Sequence, residues 1–377
     1  MSEMLPGVSV VHDALILAGS ETVVNLPSDP PKFFSNIGVR GPDGAVANYG
    51  TDIYRHRPSS PLNPDFLTGP IMEIDGRAIY GGVIGPHFGH SITQSLGRLW
   101  ATTKNLDEEI LFISQDPNLK KIPQYFIDLL KKFGVLNPVR LLTSSARVRE
   151  LVLADDLCNL DRRPCVTSFF KEWLSHQRPV AQVDENLSVY VSRSKLPLHH
   201  GQFLQETILE NALKRCGYVI MHPELLSLSE QVDLYLRAQH IILADGSAAH
   251  LWSLLAQSTQ NVAIVLRRPP NRHMKRWFKA MSFPEPKLLD FVCADFYRSR
   301  GDDTKSVAML DMSNLWKSLR DEGFHSSDEE IGMSRLEIDE QINLYGSGVA
   351  PSDRPRSRKL DRRTRHLLNS RPNAVRR

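Results

Sequence analysis

The sequence predicts an α/β protein whose second half is built on a doubly wound parallel sheet. Three observations point there. Short apolar runs of strand length alternate with segments of helical period from residue 187 to residue 293. Some of these runs are apolar without alternation, as in Ile241-Ile242-Leu243, the pattern of a strand buried on both faces. Polar groups able to hold an anion fall where the runs end: Arg193, Asp245-Gly246-Ser247 and Arg267-Arg268. In an open parallel sheet those are the carboxyl ends, where ligands bind.

Each element follows in order. Residues 1–70 are rich in proline and polar side chains and read as long loops with short strands, one at residues 23–26. Residues 71–85, IMEIDGRAIYGGVIG, read as a hairpin turned at Asp75-Gly76. In residues 86–100, PHFGHSITQSLGRLW, Ser91 is placed to cap a helix with Ile92, Leu96 and Leu99 on its apolar face. A strand at 109–114, an amphipathic helix at 122–133, strands at 139–142 and 150–153 and a short helix at 169–176 complete the first half. Residues 177–185 read as an interdomain linker, so the domains are 1–180 and 181–325, with a tail at 326–377. The second half reads as strand 187–193, helix 202–215, strand 218–221 and helix 228–239 capped by Ser229. Strand 241–243 and the helix after Ser247 follow, then strands at 261–266 and 288–293 and a helix at 310–319.

Charge and cysteine content narrow the function classes. The net charge of +3 is a property of the tail, because residues 351–377 hold ten Lys/Arg against two Asp and the rest of the chain sums to −5. A basic nucleic-acid face on the folded part is therefore not expected. The tail, acidic and then Arg-rich, reads as largely disordered, with contact to an anionic membrane or a polyanion as an alternative to a solvated role. Four scattered cysteines with no CxxC pair argue against structural zinc and a disulfide framework. With no span of about 20 apolar residues and no secretory pattern, the expected location is cytoplasmic, peripheral to the membrane at most. No GxGxxG, GxxxxGK[ST] or GxSxG motif stands at a strand–helix junction, which argues against a dinucleotide oxidoreductase, a P-loop kinase and an elbow-type hydrolase. The pairs Asp155-Asp156 and Asp302-Asp303 read as solvated or capping groups, so no metal or other cofactor is expected.

Two stretches carry candidate chemistry. In YLRAQHIILADGSAAHLW, residues 235–252, Gly246 permits a sharp turn and Ser247 is placed to cap a helix whose N–H groups face the sheet edge, with His250 one turn on. An ordinary strand-to-helix junction has the same outline. Arg193 and Arg267 at neighbouring strand ends add guanidinium forks, which together make a receptor for a diphosphate. If that diphosphate leaves from a sugar, the same groups assist glycosyl transfer. In the other stretch, His87 and His90 stand at a helix start, where the dipole favours neutral imidazole and hence a general base, and Arg98 lies farther along. Histidines bonded only to neighbouring loops are the alternative.

These segments carry a likeness. HFGHSITQSLGRLW from His87, YVSRSKLP from Tyr190, CGYVIMHPELLSLSEQVDLYLRAQHIILADGSAAHLW from Cys216 and VAIVLRR from Val262 resemble, in this order, glycosyltransferase family 61, the capsular polysaccharide biosynthesis type. The resemblance implies two Rossmann-like domains facing a cleft (GT-B-like), an activated nucleotide-sugar donor, a glycan or lipid-linked acceptor, and inversion without a DxD metal motif. It places His90 and Arg98 in the N-terminal helix region. Arg193, Glu230, Gln231, Gly246, Ser247 and His250 fall on the donor side. Asp245 departs from the His-Gly pair usual in eukaryotic-type members and resembles the acidic residue of bacterial-type ones; an ionised carboxylate repels phosphate, so it is expected to orient Arg193 or a sugar hydroxyl instead. Two other function classes are kept beside the enzyme: a catalytically inactive binding protein of a polysaccharide system, and a polyanion-binding protein acting through its tail.

Overall fold

The computed structural model describes residues 6–18, 23–26, 32–35, 37–47, 52–54, 57–59, 70–102, 106–114, 116, 118–158, 167–197, 200–268, 272–282, 284–296 and 307–332. The expectations for the tail beyond residue 332, for Asp302-Asp303 and for Cys165 lie outside these residues. The chain divides into two compact units, Met1–Val180 with Arg276–Met281, and Ala181–Lys275 with Ser282–Arg377. Among the described residues, no helix is long and apolar enough to cross a membrane.

The first unit runs β1 (Val8–Leu17), β2 (Val23–Leu26), β3 (Lys32–Ser35), β4 (Gly38–Arg40), β5 (Asp52–Tyr54), β6 (Arg57–Ser59) and β7 (Met72–Val83). It continues with α1 (Phe88–Ser95), β8 (Glu109–Ile113), α2 (Gln124–Lys132), β9 (Val139–Leu142), β10 (Ala146–Ala154) and α3 (Ser168–Gln177). Its main sheet has the order β4-β1-β10-β7-β8-β9. The strands β10, β7, β8 and β9 are parallel, and β1 and β4 add antiparallel pairs at one edge. Since β7, β8 and β9 advance one way and β10 lies on the other side of β7, the order reverses between β7 and β10.

The expected hairpin at Asp75-Gly76 is instead a single strand of 12 residues. Both of its arms pair in parallel with β10: Met72–Ile74 matches residues 146–148 and Arg77–Ile79 matches residues 150–152. Two residues, Asp75 and Gly76, stand opposite one, Arg149, so the Asp-Gly pair makes a bulge rather than a turn. The apolar second arm is buried between β10 and β8. Gly81 sits there with no room for a side chain: a Cβ would lie 2.6 Å from the Phe112 ring and 2.9 Å from Ile110. Gly81→Ala is expected to cost about 1–3 kcal/mol by overpacking. Chemical denaturation reads this as a lower midpoint with unchanged slope; an unshifted midpoint would show that β8 gives way freely.

The second unit runs β11 (Asp184–Val191), α4 (Glu206–Arg215), β12 (Val219–Met221), α5 (Leu228–Arg237), β13 (Ala238–Ala244), α6 (Ala248–Leu255) and β14 (Asn261–Val265). Then come α7 (Arg272–Met281), whose residues from Arg276 on belong to the first unit, β15 (Lys287–Leu289), β16 (Val292–Phe296), β17 (Val307–Leu310) and α8 (Met312–Asp321). Its main sheet is wholly parallel in the order β12-β11-β13-β14-β15. The chain steps from β11 one way to β12 and then the other way to β13, β14 and β15, so the order reverses between β11 and β13. On one face Tyr190, Ile242, Ala244, Ala263 and Val265 share a core with Leu209 and Leu213 of α4 and Leu315, Trp316 and Leu319 of α8. On the other, α5 and α6 pack against each other and on the central strands.

Several element ends differ from the sequence reading. The strand expected at 288–293 is two strands in different sheets, β15 and β16, since Asp290 and Phe291 break the run. The helix expected from 202 starts at Glu206, after Gln205 in the left-handed region at φ 61°. Ser227, not Ser229, caps α5. Residues 326–332 pack on this unit, with Ile331 buried in its core and Glu329 2.6 Å from Arg215.

Candidate functional site

The Arg193 strand end and the small-residue turn after β13 meet at the carboxyl edge of the second unit's sheet, on either side of its reversal in strand order. That position is the general ligand site of open α/β sheets. Arg193 follows β11, and its Nη2 donates to the His200 carbonyl at 2.6 Å and its Nε to the Gly201 carbonyl at 3.1 Å. These bonds fix the guanidinium plane over Gly246. A Cβ on Gly246 would collide with Arg193 Nη1 and lie 3.1 Å from its Cζ. Glycine is therefore required here by close approach.

The turn itself opens α6. Ser247 occupies the cap position, but its side chain makes no cap hydrogen bond, which corrects the capping role read from the sequence. The helix is closed by its backbone instead, with Ala249 N–H on the Gly246 carbonyl at 3.2 Å and His250 N–H on the Ser247 carbonyl at 3.1 Å. His250 is half-buried one turn into α6. The N-terminal end of α6 carries the positive end of the helix dipole beside Arg193.

Charge at this edge is mixed. Asp245 is buried, and its Oδ2 lies 3.4 Å from Arg268 Nε. The strand end after β14 thus contributes Arg268 to this cluster, whereas Arg267 is 2% exposed and turned into the protein. Burial lowers the Arg193 pKa, while Asp245, Glu206 and Glu224 hold its charge and Arg268 opposes it. Asp245 thus lies against Arg268, and its charge favours the protonated form of Arg193.

Glu230 is used elsewhere. Its carboxylate accepts the Ser227 amide at 2.8 Å in a capping box at the start of α5, which lowers its pKa. Gln231 donates to the carbonyls of Pro223 and Leu226 and ties the preceding turn to α5. Glu206 escaped the sequence reading. It lies 2% exposed at the start of α4 and accepts the Tyr190 hydroxyl at 2.8 Å and the Arg193 amide at 2.9 Å. Burial pushes its pKa up to about 7. With the helix expected from residue 202, Glu206 read as an ordinary helical position; only a start at 206 puts an acid in the first turn, beside Arg193.

In the first unit, α1 leaves the carboxyl end of β7, at that sheet's own reversal. His87, not Ser91, occupies the cap position, and it makes no side-chain cap bond. Ser91 lies inside the helix; its Oγ donates to the Gly85 carbonyl at 2.9 Å and sits 3.0 Å from the Tyr125 hydroxyl of α2. Ser95 donates to the Val83 carbonyl at 2.6 Å. These two serines lock α1 onto the end of β7. The rings of His87 and His90 stand edge to face with centroids 5.0 Å apart; His87 is exposed and His90 half-buried. Tyr125, raised in pKa by burial, packs on Phe88.

Arg98 is 3% exposed, donates to the Ala154 carbonyl at the end of β10 and lies over the Tyr80 ring. Trp100 donates to the Asp155 carbonyl at 2.9 Å, and a Cβ on Gly97 would run into Asp156. The segment after α1 therefore clamps the ends of β7 and β10, and Arg98 serves that clamp. Asp155 accepts the amide of Gly7, far away in the chain, at 2.8 Å, and Asp156 caps the nearby amide of Cys158 at 3.1 Å. Among the described residues, no three His, Cys, Asp or Glu side chains are grouped to hold a metal ion.

The family model described as Glycosyltransferase 61 matches residues 88–262. No curated protein matches the chain. The match opens on the first residue of α1 and closes within β14, so it spans His90, Arg98, Arg193, Glu206 and the Asp245-Gly246-Ser247 turn. The matched residues contain α1, the β11–β13 reversal and the Asp245-Gly246-Ser247 turn, whereas β7, His87 and Arg268 lie outside them; the chain carries a glycosyltransferase 61 domain.

Proposed function

We propose that the chain is an inverting glycosyltransferase that moves a sugar from a nucleotide-sugar donor to a hydroxyl of a glycan or lipid-linked acceptor in surface-polysaccharide synthesis. The carrying observation is Arg193 seated on Gly246 at the reversal of the parallel sheet, next to the start of α6 and the Asp245–Arg268 pair. The donor diphosphate takes this edge, with the Arg193 guanidinium and the α6 amides as its donors. The second unit is the donor half and the first the acceptor half, each a Rossmann-like domain of GT-B type. The reaction uses no metal ion.

The step is a direct displacement. His90 takes the proton of the acceptor hydroxyl, and the acceptor oxygen bonds to the anomeric carbon as the carbon–oxygen bond to the diphosphate breaks. The electron pair leaves on the diphosphate oxygen, where Arg193 and the helix end stabilise it. The anomeric centre inverts.

The test is a thermal-shift panel of nucleotide sugars on the full chain, followed by a transfer assay with the stabilising donor. One donor is expected to raise the melting temperature and to be consumed with release of nucleoside diphosphate. A donor that stabilises but is neither transferred nor hydrolysed would support the inactive binding protein instead.

A further inference from the structure

Glu206 is a buried acid to which the displacement step assigns no role. Its Oε1 accepts both the Tyr190 hydroxyl and the Arg193 amide, so it fixes the backbone of the residue whose guanidinium lies on Gly246. Its other oxygen, Oε2, is buried and meets no hydrogen-bond partner among the described residues. Burial of this carboxyl, with one oxygen lacking a donor within hydrogen-bond distance among the described residues, favours the neutral acid over the carboxylate, against the bonds from Arg193, Tyr190 and Ser192, which favour the carboxylate. The groups facing it are Tyr190, Ser192 and Arg193 from β11 and its end, and Glu210 from its own helix, which adds a like charge. Arg193 is faced in turn by Asp245 from the end of β13, Glu224 from the turn after β12 and Arg268 from the end of β14.

We propose that Glu206 is a positioning residue for the donor site: as a neutral carboxyl it holds the Arg193 strand end against Gly246, and its ionisation weakens anion binding there. The inference rests on reading this edge as the nucleotide-sugar site. Desolvation sets the change of state at about pH 7. Above it, a new negative charge beside Arg193 repels phosphate and draws on the same guanidinium.

The experiment measures calorimetric binding of UDP-glucose, whose diphosphate diester keeps a constant charge between about pH 5.5 and about pH 8.5. Wild-type affinity is expected to fall about tenfold over that range, and Glu206→Gln to abolish the fall. Tyr190→Phe removes a donor that favours the ionised form, so the midpoint moves to higher pH. In transfer assays Glu206→Gln alters the pH profile of the donor KM more than that of kcat.

A ligand-free readout separates the two ideas. The folded pKa of Glu206 is raised from 4.5 to about 7, so its stabilising effect is complete below 4.5 and is lost as pH rises through about 7. The wild-type melting temperature should therefore fall across that window relative to Glu206→Gln. Equal pH dependence of the two proteins in both binding and melting overturns the proposal. Failure of UDP-glucose and of every other nucleotide sugar of the panel to bind at any pH, with the melting difference retained, overturns the donor-site reading and the positioning role with it, and leaves only the neutral buried acid.

Discussion

Gly246→Ala is expected to raise the donor KM about a hundredfold and to leave the fold intact. The methyl group would occupy the place of Arg193 Nη1 and stand 3.1 Å from its Cζ. Arg193 has little freedom to yield, because its Nε, Nη2 and backbone amide are each bound, to Gly201, His200 and Glu206. Relief requires breaking those bonds and moving the guanidinium off the helix end. Losing one charge-assisted fork on phosphate is worth about 2–3 kcal/mol, which is the source of the hundredfold figure. Gly246 is not among the glycines with positive φ, so alanine imposes no backbone strain. Steady-state kinetics with donor varied, alongside a thermal melt, check this; an unchanged KM would mean that the guanidinium position is irrelevant to the donor.

His90→Ala is expected to lower kcat by about a hundredfold or more and to change the donor KM by no more than about threefold. His90 stands half-buried in the first turn of α1, whose position is set by Ser91 on the Gly85 carbonyl and Ser95 on the Val83 carbonyl. The ring is thus carried on a rigid element, while His87 is exposed at the cap position. His87→Ala is expected to cost less, and comparison of the two variants assigns the base. Single-turnover rates at saturating donor provide the readout. Equal turnover in wild type and His90→Ala excludes His90 from the proton transfer.

Much of the second unit was readable because its strands are buried on both faces. Runs such as Ile241-Ile242-Leu243 and the strand 261–265 have no polar alternation, and the turns between them are marked by Gly, Pro or Ser. The first unit was harder for a physical reason. In β7 the Asp-Gly pair has turn chemistry, but pairing with β10 along both arms outweighs that local preference and makes a bulge. The 10-residue β1 is held by antiparallel pairing to a strand far along the chain, and no local pattern announces that partner.

The candidate site was legible to the extent that it follows strand ends. Arg193, Asp245 and Gly246 come together because parallel topology brings carboxyl ends to one edge. Which of two adjacent arginines faces that edge depends on the last turn of the strand exit, and Arg268, not Arg267, pairs with Asp245. Glu230 was placed on the donor side by the resemblance, and its carboxylate closes a capping box with Ser227, a pairing hidden while Ser229 was read as the cap. Glu206 could be found only after the start of α4 was known, since burial and the bond to the Arg193 amide give it its character.

The most direct measurement is a crystal structure of the full chain with a bound nucleoside diphosphate. Its phosphates should lie within hydrogen-bond distance of the Arg193 guanidinium and the amides of Gly246 and Ser247, with Arg193 still on the Gly201 carbonyl. A nucleotide held on other residues, with the β11–β13 edge left to solvent, would contradict the assignment of that edge to the donor.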